Sequence, residues 1–320
     1  MLKNICIIIV LLISITVSYS ESIYFGRSDQ SRKGIEFGFR AGAITKLETV
    51  LTSGNNGGLI KYGLPNNKGD TDFDVNKPYP TVGLSFIRFG RLFSFLFGIN
   101  YARIDNNGTA SQDYVLNVSS VDYNGQKYKY MFIESGKDFS FKSDGVIFET
   151  RIQFNPVTIS HDDYFYFVPY LDFGINGMAY RYKVNSGDPS SLLSFAGNGV
   201  VDGGSASGDS GIVFPDYGIG IEIGLGRHDR KRLIFNGRYS ILKYNGTPDF
   251  LNNNDSYDLD HYGVNLNLNL EVPTKRENVF FVGCEYKRVD FNSERTRLDS
   301  TKDDLLFKID MINFILGFRF

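Results

Sequence analysis

Few groups in this 320-residue chain could break bonds: three histidines, two cysteines and aspartates grouped at two places. "DLDH" sets Asp258, Asp260 and His261 together, and "GDTDFD" sets Asp70, Asp72 and Asp74 at alternate positions. Carboxylates beside an imidazole can activate a water by general acid–base chemistry. A serine nucleophile needs its base within hydrogen-bond reach. No serine lies two residues from His261, and the nearest, Ser256, falls in a stretch that reads as loop. His161 and His228 stand apart in short turns, so the histidines give no nucleophile constellation. "DTDFDV" opens like a calcium loop, but Val75 stands where that loop needs Gly and Thr81 where it needs Glu. The glycines of "GNGVVDGGSASGDSG" (197–211) precede no helix and read as surface loop, not as a phosphate cradle. No catalytic residue, metal ligand or cofactor is expected, and the chain is not expected to be an enzyme.

The elements that hold these groups begin with a leader. "MLKNICIIIVLLISITVSYS" has one cation, Lys3, then an apolar run and a small-x-small site at Ser18–Ser20, the layout of a cleaved signal peptide over 1–20. Removing it leaves Cys284 as the single thiol, so no internal disulfide is expected. It also leaves 33 basic against 36 acidic side chains, which is no nucleic-acid footprint. Thirty-four Gly, 28 Phe and 20 Tyr with no Trp point to an all-β chain rich in turns. Residues 21–33 read as a short N-terminal segment, expected in the periplasm, and 34–320 as one domain.

After residue 33 no amphipathic helix stands out, and ten stretches alternate with period two. "YGVNLNLNLEV" (262–272) is the cleanest, with Asn265, Asn267 and Asn269 opposite leucines. The closing "MINFILGFRF" puts Ile312, Phe314, Leu316, Phe318 and Phe320 on one face. Most runs reach the ~9–11 residues that a tilted strand needs to cross a bilayer. The connections alternate long and short. The long ones are 46–79, 104–143, 184–215, 246–257 and 291–304, the pattern of extracellular loops opposed to tight periplasmic turns. Gly218, Gly220, Gly224 and Gly226 on one side of a strand would weaken a soluble sheet, whereas facing a narrow lumen they make room for bulkier neighbours. The reading is a transmembrane antiparallel up-and-down β-barrel of ten strands. A strong hairpin turn at Asn124-Gly125 would raise the count to twelve if that hairpin crossed the membrane.

Inward positions then carry six acids, Glu36, Glu149, Asp172, Glu222, Glu271 and Glu285, against five bases, Arg40, Arg151, Arg238, Lys287 and Arg319. Near-balanced charge in a narrow lumen favours an ion-paired filling. A selective pore would show one sign in excess at a constriction.

The signal peptide, "FVPYLDFGINGMAY" (167–180) and the closing "FILGFRF" together resemble Gram-negative outer-membrane β-barrel proteins of the small OmpA-like, opacity or porin-like type. The resemblance implies that the last strand, with its terminal Phe320, is the signal read by the barrel-assembly machinery. It also implies outer-membrane lipids and lipopolysaccharide as neighbours, with both termini periplasmic. Omptin proteases resemble the chain in size and carry an Asp pair and an Asp/His pair at the extracellular rim. The expected function is therefore structural or surface recognition, adhesin-like or antigenic, with host or environmental ligands met at the loops. A small porin-like channel is the second reading and an omptin-like rim protease the third.

Overall fold

A computed structural model describes residues 22–29, 31–55, 58–63, 78–110, 113–161, 163–195, 197–246, 256–274, 278–296 and 302–320. They form fifteen strands and, among the described residues, no helix. In chain order these are β1 (Ser22–Phe25), β2 (Gly34–Asn55), β3 (Gly58–Gly63), β4 (Tyr79–Phe89) and β5 (Phe93–Thr109). Then come β6 (Tyr114–Tyr123), β7 (Gln126–Ile133), β8 (Asp138–Phe154), β9 (Val157–His161) and β10 (Phe165–Phe195). The last are β11 (Asn198–Leu225), β12 (Arg232–Gly246), β13 (Ser256–Pro273), β14 (Val279–Thr296) and β15 (Lys302–Arg319).

Ten of these close a ring. β2, β4, β5, β8, β10, β11, β12, β13, β14 and β15 pair antiparallel in that order, and β15 returns to β2 with Arg319 opposite Glu36. Closure leaves no edge strand in the ring, the condition a bilayer sets for backbone groups that water cannot reach. The hairpin of β6 and β7 turns through Asn124 (φ 53°) and Gly125 (φ 77°), the two left-handed residues of a tight hairpin turn, and is not one of the ring's strands. The described strands thus close a ring of ten.

Tight turns join the strands at one end: β4 to β5, β11 to β12 and β13 to β14. β8 continues past a break at Asn155–Pro156 into β9 before the turn into β10. At the other end the strands run on beyond membrane length. β10 spans 31 residues and β11 spans 28, paired from Phe165↔Leu225 to Phe195↔Asn198. The range 184–215, expected as loop, is therefore a two-stranded ribbon. The expected loop 104–143 likewise holds the end of β5, the β6–β7 hairpin and the start of β8, and 46–79 holds the end of β2 and β3. Turn-rich composition hid these strands, because Gly and Ser mark loops in a sequence, whereas here their backbones join the ladder of a long ribbon.

The outward face is apolar. Phe314 is 69% exposed, and Ile312, Leu316, Phe318 and Phe320 are exposed beside it. Aromatic pairs ring this belt near the short turns, with Phe37–Phe86 and Phe280–Phe318 each at 5.2 Å. A second set, including Tyr239–Tyr262 at 5.5 Å, lies toward the long end. On β13, ten residues separate Tyr262 from Val272. Ten residues on a strand tilted about 40° cover about 25 Å, the height of an outer-membrane barrel's apolar band. Leu266 lies midway, exposed at 41%. Leu266→Arg should cost about 2–4 kcal/mol in urea titrations of lipid-reconstituted protein. The folded form should be scored by its altered migration on an unboiled gel. If Arg is tolerated there as well as Phe, the belt is not the lipid face.

The inward glycines of β11 have specific partners. A Cβ on Gly224 would lie 2.0 Å from the Tyr166 ring, and one on Gly220 would lie 2.3 Å from Tyr170. Both tyrosines come from the adjacent strand β10 and lie across the glycines, so each missing side chain makes a seat for a ring.

Candidate functional site

The chemistry of this barrel is concentrated in its interior, which is filled in three layers. The layer at the short turns is built by the N-terminal segment. After β1 adds to β9, Gly26 turns the chain inward, and Arg27, Ser28, Ser31 and Arg32 are buried in the barrel's base. The Arg27 guanidinium donates to both oxygens of Glu222 at 2.9 and 3.1 Å, and Arg32 donates to the same carboxylate at 2.8 Å. The Tyr166 hydroxyl donates to it at 2.9 Å. Both guanidiniums sit over the Phe89 ring, 4.9 and 4.6 Å from its centre. Beside them Arg319 donates to both oxygens of Glu271 at 2.5 and 2.9 Å, and Arg232 joins that carboxylate at 2.6 Å. Glu36 lies between Arg32 (3.5 Å) and Arg319 (3.7 Å). The segment expected as a periplasmic lead-in is thus the floor of the lumen.

The middle layer is a continuous ionic lattice. Glu149 meets Arg40 at 3.0 Å, Lys287 at 2.8 Å and Arg151 directly. Glu285 accepts from Arg40 (3.4 Å), Asn265 (3.1 Å) and Asn313 (3.0 Å). Arg238 makes a two-pronged pair with Asp172, both contacts at 2.6 Å, and reaches Asp216 at 3.0 Å. Each charge in such a lattice offsets the desolvation of its neighbour, which an isolated buried charge cannot do. Among the described residues, Asn267 and Asn269 help to line a cavity of about 40 Å3 in this layer, too small for a solute.

Toward the long end the interior turns apolar. Leu116, Val121, Met131 and Ile133 of the β6–β7 hairpin pack with Phe141, Met178 and Ile309 of the ring strands in one buried cluster. Phe214 stacks on Phe291 at 4.4 Å within it. The hairpin is fixed to the β10–β11 ribbon by β7, which pairs parallel with β11 over Val200–Asp202.

His261 sits where the ionic and apolar layers meet. The sequence placed no serine near it, and that expectation is corrected: Ser240 Oγ, from the neighbouring strand, lies 3.2 Å from His261 Nε2. Asp216 Oδ1 approaches the same nitrogen at 3.1 Å, while Nδ1 faces the Asp290 carbonyl at 3.1 Å. A hydrolytic triad needs the carboxylate on one ring nitrogen and the serine on the other. Here both converge on Nε2, all three residues are fully buried, and the arrangement is that of a satisfied core polar group. Asp258 and Asp260 are exposed on the opposite face of β13 from His261, because alternation separates adjacent residues. Asp70, Asp72 and Asp74 lie outside the described residues. His161 and His228 lie at the short-turn end, apart from both groups. Among the described residues no group of three or more His, Cys, Asp or Glu could hold a metal ion.

Several members of the lattice were missed in the sequence. Asp216 and Arg232 share the inward parity of Glu222 and Arg238, so extending the alternation past the expected strand ends would have found them. Arg27 and Arg32 carry no periodic signal, because their segment is not a strand.

No known protein family matches the chain, and no curated protein matches it significantly. Among solved structures it is similar to the outer membrane protease OmpT from Escherichia coli, at 10% identity and TM-score 0.41 over 90% of this chain and 96% of that one. It is also similar to the translocator domain of autotransporter NalP from Neisseria meningitidis, at 10% identity and TM-score 0.34 over 91% and 90% of the two chains. A third is the toluene transporter TodX from P. putida, at 10% identity and TM-score 0.25 over 91% of each chain. The architecture described above, a closed antiparallel ring with an outward apolar belt, is that of outer-membrane β-barrels.

Proposed function

We propose that the chain is an integral outer-membrane protein with a closed lumen, acting as a structural or surface-recognition barrel through its long end. The observation that carries this reading is the filled interior. A solute would have to displace the Arg27–Glu222 floor, the lattice around Glu149 and the apolar hairpin layer in turn. In this reading the short turns and the N-terminal segment face the periplasm. The β10–β11 ribbon and the β6–β7 tip face the medium, where loops on a rigid scaffold carry recognition. Lipopolysaccharide and membrane lipids cover the belt, and host or environmental ligands meet the ribbon and hairpin. The DLDH carboxylates and His261 point to opposite faces and lend no support to a rim protease.

Planar-bilayer recording of refolded protein tests the closed lumen against a small porin-like channel. The expected trace is flat at voltages that leave the fold intact. Steady single-channel steps would overturn the closed-barrel reading.

A further inference from the structure

Outside the Arg27–Glu222 floor, a cavity of about 730 Å3 opens at the short-turn end. It is enclosed by the N-terminal segment and the turns β4–β5, β9–β10 and β11–β12. Arg91, Lys33 and His228 reach it from three of these, and Ser28 lines its inner side. Its acids are Asp29 and Asp163. Asp29 is already engaged: a hydrogen bond from Lys33 holds its carboxyl below the usual range. Asp163 also has a partner of its own. Arg91 donates its Nε to the Phe25 carbonyl, at 3.3 Å, and acts with Lys33 and His228 on the Asp29 carboxylate; among the described residues no hydrogen bond is seen from the two terminal nitrogens of its fork.

An arginine fork and an imidazole around one space suit a tetrahedral oxyanion better than a neutral solute. The basic turn "RHDRKR" (227–232), which supplies His228, adds Arg230 and Lys231 nearby, and its Arg227 is paired with Asp229 at 2.9 Å. On the cavity's other flank β1 exposes Tyr24 and Phe25 on alternate faces, which puts an aromatic edge next to the charged surface.

We infer that this vestibule binds a phosphate group, carried either by a phospholipid headgroup or by a free phosphate compound. Arg91 and His228 take the charged oxygens, and the exposed aromatic edge of β1 takes the apolar remainder of a lipid. The inference does not depend on which side of the membrane this end faces.

The test uses full-length protein refolded in a maltoside detergent, with folding checked on an unboiled gel. Inorganic phosphate and the soluble lipid dihexanoyl phosphatidic acid are titrated separately by calorimetry. Saturable binding is expected, weakened about tenfold or more in Arg91→Gln and in His228→Ala and unchanged in Lys142→Gln at the opposite end. His228 lies in the turn between β11 and β12, so His228→Ala leaves the ring and its floor intact. Tighter binding of the lipid than of phosphate identifies a headgroup site, and equal binding a site for free phosphate. Failure of both probes to saturate, or binding by Arg91→Gln and His228→Ala equal to the parent's, overturns the inference. Conductance is not read, so either outcome leaves the closed-lumen proposal to its own test.

Discussion

Glu149→Gln should destabilise the folded barrel by about 3–5 kcal/mol, the usual result of removing one partner from a buried ion pair. Glu149 is 1% exposed and touches three cations, Arg40, Arg151 and Lys287. Arg40 keeps Glu285 at 3.4 Å and Arg151 keeps Asp216 at 4.0 Å. Lys287 is 3% exposed, and its ammonium loses its closest counter-charge. The effect should therefore concentrate on Lys287. In a double-mutant cycle, adding Lys287→Met to Glu149→Gln should recover much of the loss, because the stranded charge is gone. Urea midpoints in detergent, followed by near-ultraviolet circular dichroism, provide the measurement. A Glu149→Gln protein as stable as its parent would mean that solvent screens this lattice, and hence that the lumen is wet.

Glu222→Gln should cost a similar amount, about 3–5 kcal/mol, but locally. Glu222 is fully buried and anchors both Arg27 and Arg32. Without its charge, Arg32 retains Glu36 at 3.5 Å, whereas Arg27 retains the neutral Asn155 at 3.3 Å and the Phe89 ring. The floor should loosen while the ring, held by its ladders, stays closed. A reporter cysteine separates the two events. Ser31 is 4% exposed, so Ser31→Cys in a Cys284→Ser background should react slowly with a water-soluble maleimide. Adding Glu222→Gln should speed labelling at urea concentrations where the gel still shows a folded barrel. Unchanged labelling would show that the segment is held by something other than this carboxylate.

Much of the wall was legible because a barrel strand writes its two environments in alternate residues. "YGVNLNLNLEV" and "MINFILGFRF" state their faces outright, and the residues Glu36, Arg40, Glu149, Arg151, Asp172, Glu222, Arg238, Glu271, Glu285, Lys287 and Arg319 are buried in the interior. What alternation cannot state is what fills the space between walls. The floor comes from a non-periodic stretch whose arginines look like surface charge until Glu222 is placed opposite them. The apolar layer comes from a hairpin whose inward residues, such as Leu116 and Met131, are interrupted by Asn117, Ser119 and Asp122. Ser240 and His261 lie 21 positions apart in the chain, so a search for adjacent serines along one strand passed over a partner on the next.

The seam of the ring has a consequence for timing. Ile35 and Phe320 exchange backbone hydrogen bonds at 3.1 and 2.9 Å, and Gly34, at φ 85°, has no room for a Cβ beside the Phe320 carbonyl. The first ring strand must therefore wait for the last, across nearly the whole described chain. Contacts so distant in sequence form slowly, because the closure entropy is lost before they can reward it. Until they form, β2 and β15 each present a bare edge, and the belt of Phe and Leu has no lipid against it. The chain is thus an aggregation hazard for as long as the seam is open.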